Sequence, residues 1–446
     1  MASWVRQDFR APTSALEPIS SPPTPWFSRK HSVVALFSVA AVAAVTLMAI
    51  TGPVGWDAQI CRKTIQSLRQ GADPYAAGIA EQHAVQNPGA RQTQARSLYA
   101  YPPLTLPLLR LLGRFPSRLI AFLFWAALAG GLLLQLSAGF RMANEDERRW
   151  LPFLLPAVAF FPGLVADDAV LSGNLAYILY GLILTAAVPG WKRGRWYWFY
   201  LAVLAASVFK APMLTLLAFP VLLGKRQRYP AAGTAAAGLL LIAAQARIWP
   251  DLFREYLATI HVMFDVGHDF GYGPVGVLGQ GLWNQGLPYS SETTMMYLAF
   301  AGTVGLLLLF FSYQAREEML SRDLWLPVAL FGTFLLNPRI MKYDMAAITI
   351  PMLLIASRGL RALLQKRSNG YPEVNGPSNH RLILIGAACF LVPNLLTVFA
   401  PAWWPVELLV LLSILALSVR SLVRPQAEVQ GLAIPADMVV VPEEIA

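Results

Sequence analysis

The sequence predicts an all-α, polytopic membrane fold, and three observations lead there. The chain of 446 residues is 56% hydrophobic and only 13% charged, whereas soluble domains carry about a quarter charged residues. Apolar runs of helix-spanning length recur along it and its mean hydropathy is +0.50, so the runs read as membrane spans. The net charge is +10, and the cations gather in clusters between the runs, as they do in loops facing an anionic cytoplasmic leaflet. That placement accounts for the basic balance without nucleic acid, and no nucleic-acid-binding motif is present. Cys61 lies in a polar loop and Cys389 within an apolar run. These 2 cysteines exclude a disulfide framework and a cysteine-based zinc site.

Residues 1–30 are rich in Pro and Ser (SSPPTPWFSRK), have no periodicity and read as a disordered cytoplasmic tail. His31 to Thr51 is the first span. Its apolar length exceeds a signal-peptide core and the tail ahead of it is too long for one, so it reads as an uncleaved helix. Arg29 and Lys30 hold its start inside, which puts Trp56 onward outside. Residues 52–103 then form the first outside loop. Within it Ile60, Ile65 and Leu68 fall on one helical face, with Arg62, Lys63, Gln66 and Arg69 on others, the pattern of a helix lying along a membrane surface. Gly71 and Asp73-Pro74 end that helix, and a second is expected from Ala76 to Val85. Tyr99 and Tyr101 suit the headgroup level, while Pro102-Pro103 can open a helix but not sit inside one. Leu104 to Gly113 is too short to cross about 30 Å of hydrocarbon at about 1.5 Å per residue. It is therefore a re-entrant helix or a thin, tilted one.

Further apolar segments fall at 117–138, 151–165, 170–189, 196–210, 212–223, 231–249, 294–313, 324–337, 345–357, 382–400 and 404–420. Basic clusters at Arg141/Arg148/Arg149, Lys192/Arg193/Arg195, Lys225/Arg226/Arg228, Arg316/Arg322 and Arg358/Arg361/Lys366/Arg367 separate them. Placing every cluster inside gives about twelve spans in a plasma membrane, with both termini cytoplasmic. The transmembrane body then covers 31–360, with a second large outside loop at 249–293. A polar linker at 361–381 leads to a helix pair at 382–422 and a flexible tail at 423–446.

Under this topology the conspicuous polar residues share the outer face, and several spans are broken at Pro212, Pro338 and Pro351, as suits helices lining a watery cavity. Lys210 precedes Pro212 at a helix end. A cation at such depth faces a cavity, where a phosphate suits it, or snorkels to the surface. Arg339 and Lys342 lie close to Asp344 and either grip a phosphate or form a local salt bridge. Asp167-Asp168, followed by Gly173-Asn174, bind a divalent cation or sugar hydroxyls, or form a hydrated loop. Tyr75, Tyr99 and Tyr101 stack on a sugar or belong to an aromatic belt. His261, Asp265, His268 and Asp269 match no strong metal-binding spacing. The glycines around them, Gly267, Gly271, Gly273 and Gly276, suit a loop that moves over a cavity.

The order WDAQ at 56–59, GADPY at 71–75 and YPPL at 101–104 resembles the polyprenyl-phosphate-sugar-dependent glycosyltransferases of the GT-C superfamily, and most of all glycosyltransferase family 87. In that family an acidic residue follows the first span, then a Gly-x-Asp-Pro-Tyr turn, then Tyr-Pro-Pro. Looser matches are Gly173-Asn174, where the family's Gln is absent, Lys210-Ala-Pro212, and Pro338 with Asp344. The similarity covers residues 31–360. It implies a GT-C-like fold and transfer of a hexose, mannose among the candidates, from a polyprenyl-phosphate donor to a lipid or glycan acceptor hydroxyl at the extracytoplasmic face. Such chemistry needs a base for the acceptor proton, positive charge for the leaving phosphate and an apolar groove for the lipid. For that reaction Asp57 is the candidate base, and Lys210, Arg339 and Lys342 are the candidates for the donor phosphate. Asp73, Tyr75, Tyr101, Asp168, Asn174 and Asp344 are the candidates for sugar or acceptor contact. A divalent cation is the one cofactor considered, and its ligands stay open.

Two other classes compete. A secondary transporter or lipid flippase predicts repeat symmetry and charges near the bilayer middle. A polysaccharide ligase predicts a large late outside loop with several arginines, whereas Arg254 is the one arginine within 249–293.

Overall fold

The computed structural model describes residues 55–85, 98–148, 173–265, 271–286, 291–316, 322–355 and 412–419, apart from positions 146, 272, 345, 346, 349, 353, 414 and 417. Among the described residues every regular element is helical. The helix expected after the first span is α1, Trp56–Arg69, but its apolar face packs on Tyr99, Leu106 and Leu109 of the same chain rather than along a membrane surface. Its apolar face is buried, with Ile60 and Ile65 each 3% exposed, while Arg62, Lys63, Gln66 and Arg69 face outward. Gly71 ends the turn after α1 at φ 71°, a conformation glycine adopts without steric cost. α2, Pro74–Val85, follows at once, its Pro at the first position where the missing N–H costs nothing.

Pro103–Thr105 form a 3-10 turn that leads into α3, Leu106–Leu112. These segments together are much shorter than a span, as their length requires. α4, Ser117–Met142, is a full-length apolar helix. It packs against α5, Ala176–Arg193, at backbone distance. A Cβ on Gly131 would lie 2.7 Å from Tyr177 O, and one on Gly181 would lie 2.7 Å from Gly131 O, so small residues set how closely the pair approaches.

The apolar stretch 196–223 departs from expectation. Its two segments, expected to cross separately, form α6, Tyr197–Ser207, a 3-10 stretch Ala211–Leu217 and α7, Ala218–Leu223. The 11 residues of α6 reach only about 16 Å, half of what a crossing needs. Lys210 at the break, followed by Pro212, stops the helix for the usual reasons: a cation avoids apolar depth and proline lacks the N–H. α8, Arg228–Ile248, α9, Pro250–Asp265, and α10, Pro274–Asn284, follow. α11, Ser291–Arg316, and α12, Arg322–Leu335, come next, then a 3-10 turn at Lys342–Asp344 and helical residues between 347 and 355 that pack into the same core.

α4, α8 and α11 are the 3 described helices long and apolar enough to cross a membrane. Their outer faces are apolar as well: Leu240 on α8 and Leu306 on α11 are each 69% exposed. A continuous apolar exterior of this kind suits lipid rather than water. The expected spans at 31–51, 151–165 and 382–400 lie outside the described residues, and those at 345–357 and 404–420 lie only partly within them.

Candidate functional site: a charged cluster at the end of an apolar cavity

Asp57 occupies the first turn of α1 and is 6% exposed. A carboxylate there is favoured by the helix dipole and by the unpaired N–H groups of the first turn. Its Oδ2 accepts a hydrogen bond from the Tyr101 hydroxyl at 2.9 Å. Burial, and next the Asp57 carboxylate, push the Tyr101 phenol well above its ordinary range, so Tyr101 keeps its proton and stays a donor. Tyr101 is held in turn by Tyr75, whose hydroxyl donates to the Tyr101 carbonyl at 2.7 Å.

Gly173 and Asn174 meet the same end of α1. Gly173 has φ 66°, and a Cβ there would lie 3.0 Å from Ala58 Cβ. A glycine therefore serves both the left-handed turn and the close approach. Asn174 is 1% exposed and its Oδ1 accepts from the Ala176 N–H at 2.8 Å, closing the start of α5.

From the far side comes Lys210. Its Nζ lies 3.5 Å from Asp344 Oδ1 and 4.0 Å from the centre of the Tyr343 ring. Asp57 and Arg339 also act on Lys210 electrostatically, after Asp344. Asp344 is 5% exposed. Its Oδ2 accepts the Met341 N–H at 3.0 Å, and its side chain also hydrogen-bonds the Tyr180 hydroxyl, which pairs in addition with Asn337. The turn from Asn337 to Met341 is clamped by the middle of the second large loop. A Cβ on Gly271, at φ 79°, would lie 2.9 Å from the Ile340 carbonyl, and one on Gly273 would lie 2.9 Å from the Ile340 nitrogen. Two buried carboxylates, Asp57 and Asp344, thus share one cluster with the half-buried Lys210, which pairs with Asp344, and with Arg339; pairing is the condition under which a charge so enclosed is tolerated.

Beside this cluster is an apolar cavity of about 210 Å³, between α1, α3, α4 and α5. Its walls include Leu109, Phe124 and Leu179, and Tyr101 belongs to both cavity and cluster. Phe209, next to Lys210, Leu175, next to Asn174, and Cys61, one turn from Asp57, line it as well. Such a volume, walled almost wholly by apolar side chains and touching the cluster through Tyr101, accommodates an apolar chain.

Of the expected site residues, Asp57, Tyr101, Lys210, Arg339 and Asp344 are drawn into this one cluster. Four expectations change in kind. Tyr75 is 0% exposed and packs against Tyr99 and Tyr256, so its ring offers no face to a sugar. It is an internal strut, since a phenol that closes a loop must be enclosed by it. The buried Tyr99 and Tyr101 are likewise not an aromatic belt at the lipid headgroups. Asp73 caps α2, its Oδ1 accepting from Tyr75 N–H at 2.8 Å, a structural role the sequence reading did not give it. Asp344 binds Lys210 and Tyr180 rather than presenting itself alone, and it holds the cation in place. Lys342 opens the last 3-10 turn. Asp167, Asp168, His268 and Asp269 lie outside the described residues. Among the described residues no group of three or more His, Cys, Asp or Glu side chains is arranged to hold a metal.

Tyr180 was not singled out in the sequence, and Asn337, Tyr343 and Cys61 were not among its candidate site residues. Tyr180 carried a signal, being a phenol inside an otherwise apolar run (AYILYG), where its hydroxyl needs a partner.

The chain was compared with known proteins: no family model, no curated protein and no solved structure matches it.

Proposed function

We propose that the protein is a GT-C-type hexosyltransferase of the membrane. It takes a sugar from a polyprenyl-phosphate donor and transfers it to an acceptor hydroxyl at the extracytoplasmic face. What supports the reading most is the convergence of Asp57 and Lys210 on one cluster at the end of an apolar cavity. The acceptor oxygen attacks the anomeric carbon as its proton passes to Asp57. The bond from that carbon to the phosphate oxygen breaks, and the phosphate leaves with its electron pair. Lys210 and Arg339 offset the charge that develops on it, in a site where few waters screen them. Tyr101 orients Asp57, Asp344 orients Lys210, and the apolar cavity takes the first isoprene units of the donor. The proposal places the chain in the plasma membrane with its basic clusters and termini cytoplasmic, and with fewer than twelve full crossings because 196–223 does not cross twice.

The test is transfer from radiolabelled polyprenyl-phosphate hexoses by membranes containing wild type or Asp57→Asn. Transfer by wild type alone is expected. Equal transfer by both removes Asp57 as base, and no transfer by wild type from any donor turns the assignment toward a lipid flippase.

A further inference from the structure

α3 and the start of α4 carry a row of arginines that the proposed reaction does not use. Arg110, Arg114 and Arg118 are all exposed. α1 packs alongside them and adds Arg62 and Arg69. The Arg69 guanidinium donates to the Gly113 carbonyl and, at 2.9 Å, to the Phe115 carbonyl, which fixes the turn between α3 and α4. The chain contains no acidic residue from Ala58 to Ala72 or from Leu98 to Asn144. Arg62, Arg110, Arg114 and Arg118 have no carboxylate partner among the described residues. Apolar side chains alternate with these cations at the same surface. Leu111 is 50% exposed, Phe115 39% and Phe122 65%.

Water alone favours neither the bare apolar groups nor the uncompensated positive field. A surface that satisfies both is the border of a bilayer, where acyl chains receive Leu and Phe and phosphates receive Arg. Arginine matches phosphate in particular, through paired N–H donors. We infer that the plate formed by α1, α3 and the first turn of α4 rests on anionic phospholipid and binds its phosphates through Arg110, Arg114 and Arg118. The plate also walls the apolar cavity through Leu109, Leu112 and Ile120, so its seat on the leaflet sets how that cavity faces the lipid. The inference does not depend on the transferase assignment.

The test uses the full-length protein in nanodiscs of phosphatidylcholine, with or without phosphatidylglycerol, and hydrogen exchange read by mass spectrometry over 104–120. In wild type, exchange over this segment slows severalfold with phosphatidylglycerol, and high salt removes the difference. R110Q/R114Q/R118Q loses the slowing at 104–120, while peptides over 192–198, which carry another basic turn, still respond. R110K/R114K/R118K keeps a slowing, since charge is retained. Should the glutamine variant not fold, the salt response of wild type decides. Identical exchange with and without phosphatidylglycerol, a slowing that survives high salt, a glutamine variant that responds as wild type, or a lysine variant that does not respond would each overturn the inference. No sugar transfer is measured, so this result and the transferase result can fail separately.

Discussion

The Tyr101 hydroxyl meets Asp57 Oδ2 at 2.9 Å and joins the first turn of α1 to the Tyr-Pro-Pro turn, 44 residues further along. The bond is buried at both ends, with Asp57 and Tyr101 each 6% exposed. It fixes the Asp57 carboxylate, the base of the proposed reaction, and ties two of the sequence's most distinctive motifs into one piece.

Tyr101→Phe keeps the ring in the cavity wall and removes only that donor. A buried charged acceptor deprived of a donor costs about 1–3 kcal/mol. The variant should melt earlier in a detergent thermal-shift measurement. Its transfer rate should fall by about tenfold or more, since about 1.4 kcal/mol corresponds to each decade. Tyr75→Phe, one bond further out, should lower stability with a smaller effect on rate.

The Lys210–Asp344 pair predicts a non-additive cycle. Lys210→Met strands the Asp344 carboxylate, and Asp344→Asn strands the ammonium group. Breaking a pair this buried, 18% and 7% exposed, costs about 3 kcal/mol. Lys210→Met/Asp344→Asn should recover part of the loss, as thermal unfolding of the four proteins in one detergent will measure. Additive losses would place the two side chains in separate environments.

Gly173→Ala should destabilise by about 1–2 kcal/mol, because a left-handed φ and a 3.0 Å approach to Ala58 Cβ both oppose a side chain. The same substitution at Gly233, where an added Cβ meets nothing, should be close to neutral or slightly stabilising. Melting temperatures of the two variants provide the comparison.

Alkaline pH should loosen the first loop. Burial, then Asp57, raises the Cys61 thiol well above its ordinary value of 9.0, and burial raises Tyr99 and Tyr101 above their ordinary 10.0. The folded chain therefore holds protons that the unfolded chain gives up once pH passes 9.0. Stability is fully present below that value and declines as pH climbs beyond it. Melting temperature against pH reads this directly. Cys61 should also resist maleimide at neutral pH until the protein is unfolded, for a buried protonated thiol is a poor nucleophile.

Much of the local structure was legible because it rests on short-range rules. The face of α1 followed from apolar spacing, its end from Gly71 and Asp73-Pro74, and α2 was expected from Ala76, two residues past its observed start at Pro74. What sequence could not give was which polar groups face one another. Tyr75 and Tyr101 read as rings for a sugar or for headgroups because an aromatic near a predicted membrane edge has both uses. Only the packing reveals Tyr75 fully enclosed. Asp73 and Asn174 read as ligand contacts, yet each closes the helix just after it, a role Asx residues fill wherever a helix begins. The breaks at Lys210 and Pro212 were visible, but not that they divide one apolar stretch into pieces too short to cross separately. That depends on how neighbouring helices fill the gap, which spacing along the chain does not encode.

The most direct test of the central claim asks whether the charged cluster and the apolar cavity hold one ligand. A prenyl phosphate bearing a diazirine on its first isoprene unit is photolysed with the purified protein, and adducts are mapped by mass spectrometry. Adducts are expected on cavity residues such as Leu109, Phe124 and Leu179, reduced at least severalfold by Lys210→Met and by excess unlabelled prenyl phosphate. Adducts confined to the outer faces of α8 and α11, or cavity adducts indifferent to Lys210→Met, would contradict the account.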